Sequence, residues 1–341
     1  MAFTVPQYLI KESIGRGAYA KVFKAVSRER PDEVVALKRI DVNQKNLSTG
    51  IPQYILREVA MLKKLNKLAH PNIVKLYDVI MTPDDLENPK SLSVCLVFEY
   101  LPRSLLHYVE YEPIITPEMC KHIIHQTLLG IEFLHVNGVM HRDIKPENLL
   151  LSRGGIVKIA DFGLSKPGEV GTYLTTVTVT LWYRPPEIIL GCDYNFSADI
   201  WSLGMVMCQL FKRVPLIQGT SEIEILTQIV SFLGLPEARI WPKSCSVTRE
   251  QFSAAAGKKL RREMKIMCVH AYALLASMLE YDIDKRCNAV TALSMPYFSS
   301  DCNCGFLANF PAPLEPIGSK NKKLVSNQMK KKLASGLAAV N

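Results

Sequence analysis

The spacing of apolar residues along the chain changes near Leu101. Before this residue, short β-branched runs alternate with turn residues, which predicts strands; these runs cover residues 8–23, 34–40, 73–79 and 93–100. From Pro117 onward the apolar positions recur at helical spacing; the helices expected there cover residues 117–134, 198–210, 222–233 and 271–279. The pattern therefore predicts an α+β protein with a small β lobe over residues 1–100 and a larger, mainly helical lobe over residues 101–300.

One helix interrupts the β lobe. The segment 52–65 begins with Pro52, which suits the first turn of a helix, and its apolar residues recur at i, i+4 and i+7 from Ile55. Glu58 lies beside this apolar stripe, where a carboxylate is costly unless a cation meets it. We expect Lys38, at the end of an apolar strand, to be that cation; the alternative is a surface lysine whose stem covers apolar area.

A glycine-rich stretch, Ile14–Phe23, breaks the first strand pattern. Gly15 and Gly17 predict the tip of a hairpin whose backbone can approach a phosphate closely, since glycine has no Cβ. This motif is weak by itself, and an ordinary hairpin bend explains it equally well.

Charge and cysteine content narrow the class of protein. The net charge of +9 includes six lysines of the segment 320–332, so the rest of the chain carries only +3, and we expect no direct nucleic-acid partner. No run of about 18 apolar residues could span a bilayer, and residues 1–6 lack the features of a secretory signal. The nine cysteines lack zinc-site spacing, so we expect an intracellular protein with reduced thiols.

The chemistry concentrates between residues 141 and 163. Asp143 and Asn148 lie five residues apart, and Gly154-Gly155 supplies a turn between two short apolar runs, so that Asp161 returns beside Asn148. Carboxylate and amide oxygens suit Mg²⁺ shared with substrate phosphates. Asp143 then serves as the base that takes a proton from an attacking hydroxyl. The set predicts phosphoryl transfer; a lone Asp143 would instead be interpreted as a turn residue.

These residues, in this order, resemble the protein kinases. The resemblance covers about residues 8–298 and depends on five motifs: Val35-Ala36-Leu37-Lys38, His141-Arg142-Asp143, Asp161-Phe162-Gly163, Pro185-Pro186-Glu187 and Asp199-Ile200-Trp201. It implies the bilobal kinase fold. Lys145, two residues after the base, is similar to serine/threonine rather than tyrosine kinases.

Finer features resemble the cyclin-dependent kinases. Residues 52–58 occupy the place of their cyclin-binding helix, which implies a cyclin contact through Pro52, Gln53, Tyr54 and Ile55. It also implies that the partner swings Glu58 of this helix toward Lys38. The insert at 82–90, residues 96–99 and residues 174–180 are similar to the branch that partners D-type cyclins. This resemblance implies ATP as phosphate donor and Ser/Thr-Pro sites of cell-cycle regulators, such as retinoblastoma-like proteins, as substrates. It also implies regulation by protein inhibitors of kinases.

The same resemblance assigns roles by position. The implied catalytic set is Lys38, Glu58, Asp143, Lys145, Asn148, Asp161 and Thr180, and the metal ligands are Asn148 and Asp161. The implied nucleotide contacts are Ile14, Gly15, Gly17, Val22, Ala36, Lys38, Phe98, Glu99, Leu101, Leu150 and Ala160. Thr175 is the implied activating phosphorylation site, with Arg57, Arg142 and Lys166 as its clamp, and Tyr19 is a further regulatory position.

Three residues depart from the family pattern. Ala20 replaces the third glycine of the loop, and Ser104 stands where many relatives place an aspartate against the ribose. Lys166 replaces an arginine, which exchanges a bidentate fork for a point charge.

Other interpretations remain open. A mitogen-activated kinase relative would need a Thr-x-Tyr pair between Gly163 and Pro186, which is absent. A pseudokinase scaffold that binds a cyclin or inhibitor would not need the whole catalytic set.

The basic cluster 258–262 is interpreted as a solvated helix face. The tail, 301–341, is expected to lack a core; its lysines are either a bipartite nuclear-import signal or a solvated end. The expected location is the nucleus and cytoplasm.

Overall fold

The fold was determined as a computed structural model. The structure describes residues 5–16, 20–42, 51, 53–83, 92–163, 165–167, 180–242, 245, 247–252 and 259–299. The glycine-loop tip, the segment around Thr175 and the tail at 301–341 therefore lie outside the described residues.

Five antiparallel strands form the smaller lobe. They are β1 (Tyr8–Arg16), β2 (Ala20–Ser27), β3 (Val34–Val42), β4 (Leu76–Pro83) and β5 (Leu92–Glu99), in the spatial order β1-β2-β3-β5-β4. One helix, α1 (Gln53–Leu68), packs against them. Its predicted apolar stripe faces the core: Ile55 and Leu62 are buried, and Val59 is half-buried against the same core.

The larger lobe is mainly helical. Its helices are α2 (Leu105–Tyr111), α3 (Pro117–Val136), α4 (Pro186–Ile189), α5 (Ser197–Lys212), α6 (Glu222–Leu233), α7 (Leu260–Glu263), α8 (Val269–Met278) and α9 (Ala289–Leu293). Its short strands are β6 (Arg103–Ser104), β7 (Val139–Met140), β8 (Leu149–Leu151), β9 (Val157–Ile159) and β10 (Lys166–Pro167). Every residue of α5 from Ser197 to Leu210 is buried, so this helix forms the centre of the lobe. The α+β, bilobal prediction is confirmed.

A short backbone ladder joins the lobes away from the segment that connects β5 to β6. The amide of Ile159 donates to the carbonyl of Asn72 at 2.8 Å, and the amide of Val74 donates to the carbonyl of Ile159 at 3.0 Å. The Asn72 side chain also donates to the Val157 carbonyl at 2.7 Å. Because Ile73 bridges to β9 in this ladder, β4 begins at Leu76, three residues later than the sequence pattern predicted.

Two sequence expectations concern surface chemistry. The basic cluster begins outside the described residues, but Arg261 and Arg262 of α7 are exposed, as expected of a solvated face.

Among the described cysteines, six are free thiols: Cys95, Cys120, Cys192, Cys208, Cys245 and Cys287. The prediction of reduced thiols is wrong for Cys268, which is disulfide-bonded in this structure to a partner outside the described residues. No helix in the described ranges is long and apolar enough to cross a membrane.

A buried ion pair ties α4 to the loop before α9. The guanidinium of Arg286 donates to both carboxylate oxygens of Glu187, at 2.7 and 3.0 Å, and its Nε donates to the Glu280 carbonyl at 2.8 Å. Its face lies 5.0 Å from the ring centroid of Trp201. Both partners of the ion pair are buried, so removing one of them would leave the other as an unpaired charge in the core.

We predict that Arg286→Met lowers the free energy of unfolding by about 3–5 kcal/mol, because it strands the buried Glu187 carboxylate. The exposed pair Arg239–Glu237 provides a matched control: Arg239→Met should cost about 0–1 kcal/mol. Denaturant unfolding followed by tryptophan fluorescence measures both changes, since all three tryptophans lie in the larger lobe; they are Trp182, Trp201 and Trp241. Equal losses for the two variants would contradict the prediction.

Candidate active site

A buried carboxylate fixes the loop that carries the expected base. Asp199, near the start of α5, accepts hydrogen bonds from the backbone amides of His141 and Arg142, both at 2.8 Å, and from Nε2 of His135 at 2.9 Å. Burial alone would raise the pKa of Asp199, but the hydrogen bond and charge of His135 hold this pKa below its usual value. Arg142 adopts a left-handed backbone with φ of 70°. The two amide bonds therefore stabilise a turn that would otherwise be strained.

The expected base is held by two neighbours. The side-chain amide of Asn148 donates to the carbonyl of Asp143 at 2.9 Å and to its Oδ2 at 2.8 Å. Nζ of Lys145 lies 2.8 Å from the same Oδ2. The Asp143 side chain is mostly buried, so the two contacts fix its direction and offset its charge. The two donors engage one carboxylate oxygen and leave the other to accept a proton.

The β8–β9 hairpin brings Asp161 beside Asn148, as the sequence predicted. The strands pair from Leu149 with Ile159 to Leu151 with Val157, and the amide of Ala160 donates to the carbonyl of Asn148 at 2.9 Å. Asp161 itself has a left-handed backbone with φ of 64°. His141 supports the loop: its Nδ1 accepts from the Asp143 amide at 3.2 Å, its Nε2 donates to the Ala160 carbonyl at 3.0 Å, and its ring meets the buried Phe162 edge-on at 5.1 Å.

Lys38 joins two carboxylates that come from different parts of the chain. Its Nζ lies 2.9 Å from Glu58 of α1 and 2.8 Å from Asp161. Burial would lower the pKa of Lys38, but the two carboxylates raise this pKa above its ordinary value. In turn, the charge of Lys38 lowers the pKa of Asp161 to about 2. Asp161 is therefore ionised at neutral pH.

The orientation of α1 differs from one sequence expectation. We expected that Glu58 would reach Lys38 only when a partner moves the helix, yet the pair is formed in this single chain. Glu58 is buried while Arg57 is exposed, which agrees with the expected difference in direction between consecutive helical residues.

The expected nucleotide positions line a cleft between the lobes. Val22 lies opposite Lys38 on neighbouring strands, and Ala36 lies opposite Phe98. Leu150 and Ala160, from the larger lobe, are half-buried against the core, and Ile14 is exposed. Gly15 pairs with Val22, and a Cβ on it would meet the Val22 side chain at 3.5 Å. Gly17 and Tyr19 lie outside the described residues.

The connection between the lobes offers backbone groups for an adenine ring. Neither the amide nor the carbonyl of the buried Leu101 has a backbone partner in the described part of the chain. A purine edge carries the matching donor and acceptor, so this segment fits an adenine. Glu99 is used differently: its amide donates to the Lys75 carbonyl at 3.0 Å, and its carboxylate accepts from the Lys75 amide and from Nζ of Lys158, both at 2.7 Å.

The donor set fits a magnesium ion that arrives with a nucleotide. Asn148 and Asp161 supply an amide oxygen and a carboxylate, which are ligands that Mg²⁺ accepts together with water and phosphate oxygens. Within the described ranges no group of three or more His, Cys, Asp or Glu side chains could hold a metal ion by itself. The site therefore suits an ion shared with substrate rather than one caged by protein.

Arg142 carries a buried charge without a matching acceptor. Its Nε and Nη1 are buried and have no hydrogen-bond partner among the described residues, while its guanidinium lies 5.8 Å from the ring centroid of Tyr194. Burial lowers the pKa of this guanidinium. An unpaired cation of this kind is costly and favours an incoming anion. Thr175 and the side chain of Lys166 lie outside the described residues.

Several expected contacts look different in the structure. Thr180 caps the short 3₁₀ turn Leu181–Tyr183 without a side-chain hydrogen bond, and no hydrogen bond joins it to Asp143 in the described part. On α1, Ile55 is 1% exposed and packs inside the lobe, whereas Leu56 is 51% exposed. Gln53 is exposed, and Pro52 and the Tyr54 side chain lie outside the described residues.

Sequence reasoning missed three contributors to the site. Asp199 was recognised only as part of a motif, and its role as acceptor for two loop amides was not foreseen. Asn72 and Lys158 were not singled out at all. Lys158 is a charged residue inside an apolar run, which was a signal for a partner. The sequence could not identify that partner, because Glu99 lies 59 residues away. Ser104, expected to weaken a ribose contact, caps α2 by accepting from the amide of His107 at 3.2 Å.

Comparison with known proteins gives a consistent result. The family model described as "Protein kinase domain" matches residues 8–298. Cyclin-dependent kinase 4 of Xenopus laevis is 38% identical over 297 residues, which cover 86% of this chain and 91% of that protein. The protein of the same name from Sus scrofa is 38% identical over 83% of this chain and 93% of its own length. The cyclin-dependent kinase 4 homolog of Caenorhabditis elegans is 37% identical, over 84% and 70% respectively.

These matches agree with the geometry of Lys38, Asp143 and Asp161, and they cover both lobes. The chain therefore belongs to the protein kinase family, as a serine/threonine kinase of the cyclin-dependent group that resembles the branch partnered by D-type cyclins.

Proposed function

We propose that this kinase transfers the γ-phosphate of ATP to Ser/Thr-Pro sites in cell-cycle regulators such as retinoblastoma-like proteins, and that a cyclin and phosphorylation of Thr175 activate it. The observation that carries the proposal is the position of Lys38 between Glu58 and Asp161, at 2.9 and 2.8 Å. This arrangement supports a role for Lys38 as the cation that would hold the α- and β-phosphates of a nucleotide. The names of the relatives support a cyclin as partner.

The residues around Asp143 would have different roles in phosphoryl transfer. Asp143 orients the substrate hydroxyl and takes its proton, while Lys145, bonded to the same carboxylate, is close enough to face the transferred phosphate. Asn148 and Asp161 would hold Mg²⁺, which when bound offsets the negative charge of the phosphates. Because Asn148 also binds Asp143, it couples the position of the metal site to that of the base.

The adenine ring would lie between the lobes. Ile14, Val22 and Ala36 would cover one face, and Leu150 and Ala160 the other. Phe98 would close the back of the cleft, and the unpaired backbone groups of Leu101 would bind the ring edge. The carbonyl of Glu99 is the further expected contact.

The surface of α1 supports binding of a cyclin. Gln53 and Leu56 are exposed on the helix that also carries Glu58. A partner on this face would bury Leu56 and, through the same helix, fix the Glu58–Lys38 pair in place. Since the pair is already formed here, we infer that the cyclin stabilises this arrangement rather than creating it. D-type cyclins are the class we propose, and protein inhibitors of kinases are expected to bind as well.

The catalytic set weighs against a scaffold without activity. Lys38, Glu58, Asp143, Asn148 and Asp161 are all present, and hydrogen bonds join Lys38 to Glu58 and Asp161, and Asn148 to Asp143. Burying these charges is costly, and a binding module has no use for them.

The location in nucleus and cytoplasm remains a prediction. If the lysines at 320–323 and 330–332 are an import signal, deletion of residues 319–341 should reduce nuclear accumulation of a fluorescent fusion. Accumulation that does not change would assign these lysines to a solvated end instead.

We predict that Asp143→Asn lowers phosphate transfer to a Ser-Pro peptide by about 10²–10⁴-fold, because an amide cannot accept the proton. Cyclin binding in a pull-down should be unchanged, since α1 is untouched. Glu237→Gln, which removes an exposed carboxylate of the same lobe, serves as the control and should leave transfer unaffected. Full activity of the Asp143 variant would show that another group is the base.

We also predict that Arg142→Met removes activation by phosphorylation of Thr175. A phosphate there would make one or two charge-assisted hydrogen bonds to the buried guanidinium, so its loss should reduce the phosphorylation-dependent gain in kcat about 10–100-fold. The free energy of unfolding of the unphosphorylated variant should change little, because Nε and Nη1 of the guanidinium make no hydrogen bond to the described residues. The exposed Arg57 supplies the comparison, and Arg57→Met should lose less.

A variant at Arg142 that is still fully activated by phosphorylation would contradict this role. Activation is measured as the ratio of kcat for the phosphorylated and unphosphorylated forms of each variant, with the phosphorylation confirmed by mass spectrometry.

A further inference from the structure

An open groove of about 330 Å³ lies in the larger lobe, away from the catalytic cleft. Its walls are α4 with the residues that follow it, the second half of α6, the loop 236–242 and the loop 281–284. Leu190, Ile240 and Ile283 are partly exposed in it, and the ring of Trp241 forms part of the wall. The groove thus presents apolar, aromatic and proline side chains to the surface, a composition typical of peptide-binding sites.

The rim of this groove is acidic. Most of its charges already have partners: Glu187 binds Arg286, Asp282 lies 3.7 Å from Lys285, and Arg239 lies 2.6 Å from Glu237. Asp193 and Asp284 differ, because both are exposed and neither has an ion-pair partner among the described residues. An apolar surface flanked by two unpaired carboxylates is complementary to an apolar segment followed by cations.

The chain contains a segment with this chemistry just after its described part. Phe306, Leu307 and Phe310 come first, prolines follow at 311, 313 and 316, and lysines follow at 320, 322 and 323. After Glu315 the chain contains no acidic residue, so the cationic end carries no compensating charge. Proline-rich segments bind aromatic-lined grooves at a low entropic cost, because their backbone is already extended.

The segment begins close to the end of the described chain, and the described chain ends beside a helix that leads to the groove. The last described residues, in the 3₁₀ turn Pro296–Phe298, pack against α8, and α8 ends just before the groove loop 281–284. Seven further residues lead from Ser299 to Phe306 and span up to about 23 Å when extended. Because the segment is tethered, its effective concentration at the groove is about millimolar, and weak binding suffices to occupy the site.

We propose that residues 306–323 of this chain bind in the groove, with the phenylalanine and proline side chains against its apolar wall. The lysines at 320–323 then pair with Asp193 and Asp284. The groove is separate from Lys38, Asp143 and Asp161, so this interaction goes beyond the proposed function and does not depend on it.

Amide hydrogen exchange on the full-length chain tests the proposal. Residues 306–316 and the loop 281–284 should exchange about tenfold more slowly than after disruption of the contact, the value for a binding constant of about 0.1 mM at an effective concentration of about 1 mM. Two variants reverse the charges: Asp193→Lys with Asp284→Lys in the groove, and Lys320→Glu with Lys322→Glu and Lys323→Glu in the tail. Each should lose the protection.

The combination of both charge reversals should restore the protection, which a general loss of stability would not do. As matched control, Glu29→Lys with Asp32→Lys makes the same change of charge at exposed residues of the smaller lobe and should leave exchange unchanged. Raising the salt concentration to about 1 M should weaken the protection, since exposed charges are then screened beyond about 3 Å.

Three outcomes would overturn the proposal. Residues 306–316 could exchange at the rate of an unstructured peptide in the wild-type chain. The combined reversal could fail to restore the protection lost in the single reversals. The protection could increase with protein concentration, which would assign the groove to the tail of a second copy.

Discussion

The buried carboxylate of Asp199 is the contact on which the catalytic part of the molecule depends. It accepts two consecutive amides of the loop that carries Asp143, and it does so from the first turn of the most buried helix in the larger lobe. The buried Asp199 carboxylate thereby fixes a loop that has little regular structure to the rigid helix α5. Its cost of burial is offset by three hydrogen-bond donors, one of them the His135 ring.

From that fixed loop the site extends by short steps. Asn148 holds the base, the backbone of Ala160 binds Asn148, and Asp161 binds Lys38, which in turn binds Glu58. Each step is a hydrogen bond of ordinary length, so the smaller lobe is linked to the base through side chains as well as through the chain itself. Displacing α1 would break the last link first and leave the loop intact. This is a physical basis for regulating the enzyme from its surface.

Much of this arrangement could be predicted from the sequence, because local patterns fix it. The helical period placed Glu58 beside an apolar stripe, and the two short apolar runs around Gly154-Gly155 predicted the hairpin that returns Asp161. The contacts that escaped prediction join residues far apart in the chain. Nothing near Asp199 indicates that it accepts amides 57 and 58 residues away, and nothing near Asn72 indicates its bonds to β9. Burial also removes Ile55, one of the four implied cyclin contacts, from the surface and leaves its neighbour Leu56 exposed.

The ladder between Asn72, Val74 and Ile159 has a mechanical consequence. The lobes are connected at the segment around Leu101 and again at this ladder, and two fixed connections define a line. Rotation about that line keeps both connections intact, whereas sliding or twisting of one lobe over the other would break the ladder bonds at 2.8 and 3.0 Å. Opening the lobes about that line would therefore leave these backbone bonds intact and separate side-chain contacts such as the Lys38–Asp161 pair.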